Sequence, residues 1–424
     1  MLTEKVSDFL HSVDSVGSGV IEAKMEKFSS YQKFVVGILA FIQFSILLNF
    51  AIIPPLGAAL IAAMKITPRQ FSVLVSSYIF SAGISSLLAA GFIDRFDRKK
   101  ILLFLYSGFC LGILCCGLAP NYELLLLARI ISGIFGGVSS NLTTTIVTDI
   151  FMVNKRGRAL GIIQTAYAVS QTLGIPLSLY LTNVWNWHLP FLVIAIISFL
   201  TIILIVCYLK PSNTHLAHQV EVNAFQHFWR TLSNPHYRQS FATTACTSLG
   251  IFLLFPFGSA FAVYNLGVSL SILPWGFMII GFFTIIGWPL IGWATDRVNK
   301  LLAITVGSIV ATVLALIYTR LGITPLFWVL LINILMTLAT GFQLIPTQTL
   351  ISTVPEPASR GAFMAINSSI QKIAGGIASL LAGWIVVTET NGSLAHYELV
   401  GYCCFFSNSL ALLLVYFIYK RSIK

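Results

Sequence analysis

Long apolar runs separated by short polar segments make up almost the whole chain. Each run holds about 20 residues or more, the length with which an α-helix crosses the hydrocarbon core of a bilayer. Strands of a membrane barrel would alternate apolar and polar residues over about ten positions, so the continuous runs indicate helices. Twelve spanning helices are predicted, near residues 34–60, 70–93, 101–119, 122–150, 159–183, 188–209, 239–266, 271–294, 301–320, 325–351, 361–386 and 397–419.

Three pairs of landmarks, each 202 residues apart, indicate that the chain consists of two similar halves. The pairs are Asp94 and Asp296 in short polar loops, Arg158 and Arg360 at the starts of later runs, and Gly174 and Gly376 within those runs. Repeated membrane halves are typical of secondary transporters. The predicted fold class is therefore an all-α membrane protein with twelve transmembrane helices in two pseudo-symmetric six-helix bundles.

Polar segments mark the predicted boundaries of the two bundles. An N-terminal segment at 1–33 precedes the first bundle at 34–209, a linker at 210–238 leads to the second bundle at 239–419, and a tail occupies 420–424. The N-terminal segment does not resemble a signal peptide, which would begin basic and then turn apolar. The aromatic second part of the linker predicts a helix that lies at the membrane surface.

Composition and charge agree with a membrane protein and predict its orientation. Only 9% of the residues are charged, whereas a soluble domain carries roughly 25%. Of the 25 basic residues, 20 fall on the side that both termini share, while Lys65, Arg69 and Arg320 fall in loops on the other side. The positive-inside rule therefore predicts a multi-pass protein of the cell inner membrane with both termini in the cytoplasm. An anionic lipid leaflet accounts for the net charge of +11, so we expect no nucleic acid partner.

Polar side chains inside the predicted spans are the candidates for a substrate cavity, because a bilayer makes each of them costly. Several share a helical face at spacings of three, four or seven residues. The candidates are Asn49, Arg129, Asn141, Gln164, Tyr167, Gln171, Gln343, Asn367, Gln371 and Lys372. The alternative is that these side chains form interhelical hydrogen bonds, each worth about 0.6–2 kcal/mol.

Arg129 and Lys372 are the two basic residues inside predicted spans, and no carboxylate falls near the middle of a span. An Arg at depth either serves the transported solute or binds backbone carbonyls of a neighbouring helix as a structural clamp. A central Lys is too deep to reach the surface easily, so it faces water, a substrate or the bundle interior. Our hypothesis is that the cavity accepts an anionic or strongly hydrogen-bonding substrate.

A charged loop follows the second predicted span and returns, weakened, after the eighth. Its acids and bases can pair with one another and with helix ends, where backbone groups lack partners. One interpretation is a gate that latches neighbouring helices, and the other is a solvated basic loop that only sets topology. The predicted gating residues are Asp94, Arg95, Asp97, Arg98, Asp149, Asp296 and Arg297.

The sequence predicts neither a metal site, nor a cofactor, nor an enzyme. All seven cysteines fall in predicted spans without a CxxC motif, and we expect them to be small packing residues. The spacing of His215, His218 and His227 does not repeat on one helical face, and no carboxylate joins them as a ligand. We find no acid pair or nucleophile with its base, which an enzyme would require. A receptor that binds a ligand without transporting it stays a second class to test.

The charged loop and span 4 carry a resemblance to a known family. Residues 90–99, Ala-Gly-Phe-Ile-Asp-Arg-Phe-Asp-Arg-Lys, resemble the loop signature Gly-x-x-x-Asp-Arg-x-Gly-Arg-Lys of the major facilitator superfamily. Ala90 and Asp97 stand where that signature has glycine. The segment Arg129–Gly133 is similar to the Arg-x-x-x-Gly motif in span 4 of the same superfamily.

Two further segments resemble the efflux members of this superfamily. Gly174–Pro176 is a reduced form of an antiporter signature in span 5, and Trp187–Phe191 is similar to the start of span 6 in bacterial drug and sugar exporters. The resemblance implies a monomeric transporter that works by alternating access, with spans 1, 4, 7 and 10 around the cavity. It also implies a small-molecule substrate and the lipid bilayer as partners.

The resemblance implies efflux by proton antiport, but the residues depart from the usual proton relay. Many proton-coupled relatives carry an acid in span 1, where this chain has Asn49. The Arg that matches Arg129 is assigned to proton relay or substrate contact in similar antiporters. Protons are therefore partners only if coupling runs through Asp149 and Arg129, or through a proton on Lys372 or the substrate. The alternative function is an importer, uniporter or exchanger of a small polar or anionic metabolite.

Overall fold

The computed structural model describes residues 28–89, 96–211, 230–295, 297–356, 360–389 and 392–422. Most of the predicted N-terminal segment and the aromatic part of the linker lie outside the described residues. The same is true of three predicted gating residues, Asp94, Arg95 and Asp296.

Fifteen helices and one short hairpin make up the described part of the chain. The helices of the first half are α1 Ser30–Ala51, α2 Gly57–Met64, α3 Pro68–Ala89, α4 Arg98–Leu118, α5 Tyr122–Ile150, α6 Val153–Val169, α7 Ile175–Val184 and α8 Leu189–Tyr208. Those of the second half are α9 Pro235–Leu254, α10 Gly258–Tyr264, α11 Leu273–Thr295, α12 Lys300–Tyr318, α13 Leu326–Ser352, α14 Arg360–Ile385 and α15 Tyr397–Ser422. Strands β1 Val387–Thr388 and β2 Leu394–Ala395 pair antiparallel between α14 and α15.

Ten of the helical segments are long and apolar enough to cross a membrane, which confirms the predicted all-α membrane fold. Predicted spans 5 and 11 are helical as well, as α6–α7 and α14, but they are not among these ten. Both carry the polar positions that the sequence singles out, which lowers their hydropathy. The count of twelve spans therefore stays a prediction.

Both halves begin with a helix that breaks near its far end. Predicted span 1 divides into α1 and α2 around Pro54 and Pro55, and predicted span 7 divides into α9 and α10 around Pro256. Proline has no backbone N–H and its ring clashes with the preceding turn, so each helix stops there. The breaks recur about 202 residues apart, in agreement with the internal repeat.

Helix α1 begins at Ser30, four residues before the predicted start of span 1. Ser29 caps it, since its hydroxyl accepts from the Gln32 N–H while the Gln32 side chain accepts from the Ser29 N–H. This reciprocal pair is a capping box, a signal that can be read from sequence. Helix α9 likewise begins early, at Pro235, where the Asn234 side chain accepts from the His236 N–H.

The helix ends define two faces of the bundle. The backbone N–H of Lys210, after α8, donates to the hydroxyl of Tyr31 at the start of α1 at 3.1 Å. At the same level Leu87, near the end of α3, packs against Tyr237 at the start of α9. We call this side the terminal face. The other side, which holds the breaks after α1 and α9 and the hairpin, is called the loop face.

Small residues let the helices of each half approach closely. In the first half, a Cβ at Gly137 on α5 would lie 2.5 Å from the Ala82 carbonyl oxygen of α3. In the second half, a Cβ at Gly307 on α12 would lie 2.7 Å from the Gln343 nitrogen of α13. Membrane helices gain stability from such close packing because lipid offers no hydrophobic drive between them. The two bundles then meet along α3 with α14, α7 with α11, and α2 with α10.

Candidate functional site

Lys372 lies where the two halves meet. It projects from the middle of α14, and its Nζ donates to the Ser86 Oγ of α3 at 3.3 Å. Gly83, one turn away on α3, gives it room, since a Cβ there would lie 3.1 Å from the Lys372 Cβ. In the described part of the chain no carboxylate pairs with this ammonium group. A single cation therefore bridges the two bundles through a neutral hydroxyl.

Asn367 and Gln371, the other predicted cavity residues of α14, are half-buried beside Lys372. The Asn367 Oδ1 accepts from the Thr244 Oγ1 of α9 at 2.7 Å. This bond stays within the second half, so it fixes α14 against α9. The Lys372 contact, by contrast, crosses between halves.

On the first half, Tyr167 and Gln171 lie at the contact with α11. The Tyr167 ring stacks on Trp288 with centroids 5.8 Å apart and an interplanar angle of 21°. Gln171 falls in a π-helical turn, Ser170–Gly174, in which the Ile175 N–H reaches back to the Ser170 carbonyl. Pro176 follows directly and disturbs the regular hydrogen bonds of the helix, which accounts for the wide turn. Single π-helical turns are frequent at functional sites.

Gln164, two turns nearer the terminal face on α6, is exposed, and Asn141 on α5 is half-buried. The Asn141 carbonyl accepts from the hydroxyls of Thr144 and Thr145. These bonds leave the amide of Asn141 available at the helix surface. Both positions keep polar groups accessible on the first half.

Arg129 and Asn49 bind each other deep inside the first half. The Arg129 Nη1 donates to the Asn49 carbonyl at 2.8 Å and to its Oδ1 at 3.3 Å. The guanidinium also lies 4.5 Å from the centre of the Tyr78 ring, and the Arg129 side chain is fully buried at 1% exposure. This geometry matches the alternative in which the Arg clamps a neighbouring helix. It joins α1, α3 and α5.

Gln343, the predicted cavity residue of span 10, is buried in a polar network of the second half. Its Nε2 donates to the Asn408 Oδ1 at 3.1 Å, and the Asn408 Nδ2 donates to the Thr312 Oγ1 at 3.0 Å. The network joins α13, α15 and α12. Sequence reasoning did not single out Asn408 and Thr312, since they lie in predicted spans 12 and 9, outside the four spans expected around the cavity.

A second polar contact that sequence reasoning missed joins α1 to α5. The amide of Gln43 donates to the Ser140 Oγ at 3.1 Å, and its Oε1 accepts from the Thr143 hydroxyl at 3.4 Å. The sequence did offer a signal for this contact, because Gln43 is a polar residue six positions before Asn49 in the same predicted span.

Three phenylalanines close the path from Lys372 to the loop face. Phe50 of α1 stacks on Phe255 with centroids 5.7 Å apart and lies 6.2 Å from Phe252 of α9. Phe252 in turn packs on Gly375, less than one turn beyond Lys372 toward the loop face. We call this set the aromatic plug. It could not be read from sequence, because the chain has 32 phenylalanines and no local feature distinguishes these three.

The halves are also tied together at the loop face itself. The Ser259 hydroxyl of α10 donates to the Pro54 carbonyl, and the Tyr264 hydroxyl donates to the Ala58 carbonyl at 2.8 Å. The Asn183 Nδ2 at the end of α7 donates to the Leu270 carbonyl at 2.6 Å. The structure therefore has its loop face closed.

The predicted gate is described in part. The Arg98 Nε lies 2.7 Å from the Asp149 Oδ2, and the two side chains are 6% and 18% exposed. Asp97 caps α4, since its Oδ1 accepts from the Lys100 N–H at 2.9 Å, as Asp commonly does at a helix start. The Arg297 guanidinium stacks over Trp293. The ion pair thus joins α4 to α5 within the first half, at the terminal face.

Replacement of Asp149 by Asn is expected to lower the free energy of unfolding by about 1–3 kcal/mol, because its ion pair with the buried Arg98 is lost. Thermal unfolding of the purified protein in detergent measures the effect. The exposed Lys100 provides the control, since Lys100→Gln should change little. The swapped pair Arg98→Asp with Asp149→Arg should recover part of the loss, and no recovery would argue against a direct ion pair.

A family model described as the Major Facilitator Superfamily matches residues 39–379 and, in a second match, residues 240–421. Among curated proteins, Multidrug resistance protein 3 of Bacillus subtilis is 29% identical over 152 residues, which are 36% of this chain and 30% of that protein. The putative transporter AraJ of Escherichia coli is 25% identical over 247 residues, 58% of this chain and 61% of that protein. The chain thus covers less than two thirds of the length of either relative.

Solved structures show the same fold. A bacterial homologue of the human lysosomal transporter Spinster, in an inward-facing and unoccupied conformation, superposes with a TM-score of 0.69 at 17% identity. The superposition covers 92% of this chain and 96% of that one. The nucleoside transporter NupG superposes with a TM-score of 0.72 at 12% identity, over 91% and 99% of the two chains.

Proposed function

Because this chain belongs to the Major Facilitator Superfamily, we propose that it is a secondary transporter that moves a small organic anion by alternating access. The position of Lys372 carries the proposal. Its ammonium group lies between the two bundles, contacts the Ser86 hydroxyl at 3.3 Å, and pairs with no carboxylate of the described residues. A cation at this depth without a counter-ion is costly in a membrane, so an arriving anion would supply the missing charge.

Arg129 is not proposed to bind the anionic substrate. Its guanidinium is engaged by Asn49 and Tyr78 within the first half. Lys372 is then the cation left for a solute. Gln371 and Asn367 on the same helix, and Gln171 on the first half, would orient the polar groups of that solute.

We propose efflux as the direction of transport. The segment Trp187–Phe191 resembles the start of span 6 in exporters, and one relative is named Multidrug resistance protein 3. The basic residues support cytoplasmic termini in the cell inner membrane, with the terminal face inside. The protein would then take its substrate from the cytoplasm when the loop face is closed, and a monomer is sufficient for this.

Exchange for a proton, if it occurs, is assigned in this proposal to Lys372 or to the substrate itself. Asn49 does not titrate, and an Arg such as Arg129 keeps its proton in proteins. The absence of a mid-span carboxylate from the sequence equally favours the alternative, an importer, uniporter or exchanger of a small anionic metabolite. Counterflow in reconstituted vesicles, measured in both directions with and without a pH gradient, separates these functions.

Matched pairs of solutes test the substrate class. Benzoate and benzylamine have similar size and opposite charge, and larger pairs of the same kind extend the series. Uptake into proteoliposomes should favour the anion of each pair. A preference for the cations, unaffected by Lys372→Gln, would contradict the proposal, and specific binding without flux would favour a receptor.

A disulfide between the halves is expected to stop transport if the loop face must open. A Cβ at Gly57 on α2 would lie 3.4 Å from the Ser259 Oγ of α10, which suits a cross-link between Gly57→Cys and Ser259→Cys. The oxidised double variant should lose at least nine tenths of its flux and regain it with reductant. The single variants, with the native cysteines retained, are the controls. Full activity of the cross-linked protein would rule out opening at this face.

A further inference from the structure

A pocket of about 720 Å³ opens on the loop face where the two halves meet. It lies far along α3 and α14 from Lys372, beyond the aromatic plug. The first half contributes the end of α2 and the turn into α3, and the second half contributes the end of α14 and strand β1. The lining residues are Ile61, Lys65–Arg69, Gly383, Trp384 and Val386–Thr388.

The charge of this pocket is positive. Lys65 and Arg69 both line it, and they are two of the three basic residues that the sequence places on this face. None of the described lining residues is an acid. The nearest carboxylate along the chain, that of Glu389, accepts a hydrogen bond from the Ser393 hydroxyl at 2.9 Å. The pocket therefore offers two cations to a ligand.

An aromatic wall and a helix start complete the site. The Arg69 guanidinium lies 5.8 Å from the centre of the Trp384 ring, so the contact reaches from the first half to the second. Helix α3 begins at Pro68 and runs for 22 residues. Its N-terminal end carries partial positive charge, which favours an anion at this position. Ile61 and Val386 supply apolar surface beside these groups.

The backbone of Lys65 supports a role in binding. Lys65 ends α2 in the left-handed conformation, with φ of 51°. Glycine is the usual residue at such a helix end because a side chain there costs about 1 kcal/mol. Strained residues of this kind concentrate at ligand sites.

We propose that this pocket binds an organic anion, with its acidic group between Lys65 and Arg69 and its apolar or aromatic body against Trp384. The volume is within the range of about 300–1,000 Å³ that small-molecule sites occupy. The acidic group could belong to a soluble anion or to a lipid head group, since the two share this chemistry.

Occupation of the pocket stabilises the closed loop face. The pocket exists because α14 packs closely on α3, where a Cβ at Gly383 would collide with Ser72. Movement of the halves apart at this face would separate Lys65 and Arg69 from Trp384. A ligand that needs both walls shifts the population toward the closed state. This consequence rests on the proposed alternating access, whereas the binding itself does not.

Calorimetric titration of the full chain in phosphatidylcholine nanodiscs tests the binding. The background carries Lys372→Gln, so that an anion site between the bundles does not contribute. The probe is 2-naphthyl phosphate, and neutral 2-naphthol is its matched control. Lys65→Gly suits the left-handed backbone and removes one cation, and Arg69→Gln removes the other.

We expect saturable binding of 2-naphthyl phosphate that weakens at least tenfold in the Lys65→Gly, Arg69→Gln double variant. The matched control is Arg320→Gln, because Arg320 is the third basic residue of this face and contacts Tyr402 away from the pocket. It should bind as tightly as its parent. Equal binding of 2-naphthol, or undiminished binding by the double variant, would overturn the proposal.

A second titration identifies the source of the anion. Phosphatidylglycerol in the nanodiscs should compete with the probe if a lipid head group is the natural occupant. Binding that is unchanged by phosphatidylglycerol but lost in the double variant assigns the pocket to a soluble anion. If the pocket does not bind the probe, the proposal of anion transport through Lys372 still stands. If no anion is transported, the binding measured in this titration still stands. The two proposals can therefore be judged separately.

Discussion

Replacement of Lys372 by Gln is expected to reduce anion transport by about 10- to 100-fold. A hydrogen bond to a charged group contributes about 1.5–3 kcal/mol, and each 1.4 kcal/mol is a factor of ten in affinity. Gln is neutral, polar and one bond shorter than Lys, so it fits in the space that Lys372 occupies beside Ser86 and the fold is retained. The loss is therefore one of charge at the contact between the halves.

Proteoliposomes that contain equal amounts of each variant provide the measurement. Flux of the preferred anion and of its cationic partner is followed over the same range of concentrations. Lys420→Gln, the same change at an exposed lysine near the end of α15, is the matched control and should keep most of the activity. An unchanged anion flux in Lys372→Gln would remove Lys372 from the substrate site, and an equal loss for both charges would indicate a damaged fold.

Lys372→Arg separates substrate binding from proton exchange. Arginine keeps the positive charge but does not release its proton in a protein. Anion binding should survive while substrate-driven proton movement, followed with a pH-sensitive dye inside the vesicles, should vanish. Proton movement that persists in this variant would assign the coupling to the substrate or to Asp149.

Replacement of Arg129 by Ala is expected to lower the free energy of unfolding by about 2–4 kcal/mol. The variant leaves a cavity and removes two hydrogen bonds to Asn49 in a fully buried position. It also loses the contact with the Tyr78 ring, and such cation–π contacts contribute about 2 kcal/mol when desolvated. A loss of this size is large against the stability of a typical protein.

Two further variants show which part of Arg129 matters. Arg129→Met retains most of the volume but no donor, whereas Arg129→Lys retains the charge but not the planar group above Tyr78. Both should be intermediate in thermal unfolding, and the folded fraction of each should still transport. Normal stability with abolished flux in both would instead support a relay or substrate role for Arg129.

The architecture could be predicted from sequence because its causes are local. The length of each apolar run predicts a helix, and the repeated landmarks predict two halves. The breaks at Pro54 and Pro256 were also readable, since proline acts on its own turn. The predicted spans 1 and 7 nevertheless run through these prolines without a break, and the predicted start at residue 34 does not use the capping box at Ser29.

The candidate site could be predicted only where one residue type stood out. Lys372 was evident because a cation in an apolar run is rare and costly. The partners of Gln343 and Gln43 were not, since they depend on how each helix is rotated about its axis and on which neighbours it packs against. The aromatic plug could not be predicted for the same reason. Phe50 contacts Phe252 and Phe255 only because the two halves pack against each other.

The broken helices at the loop face have a consequence for water. Two carbonyls of the first half, at Pro54 and Ala58, accept hydroxyl groups of the second half, those of Ser259 and Tyr264. When the halves separate there, the two hydroxyl groups lose these acceptors and must bond to solvent instead, because an unpaired polar group is costly in a membrane. The loop face can therefore open only as water enters between the halves. Osmotic stress, which withdraws water, should favour the closed loop face.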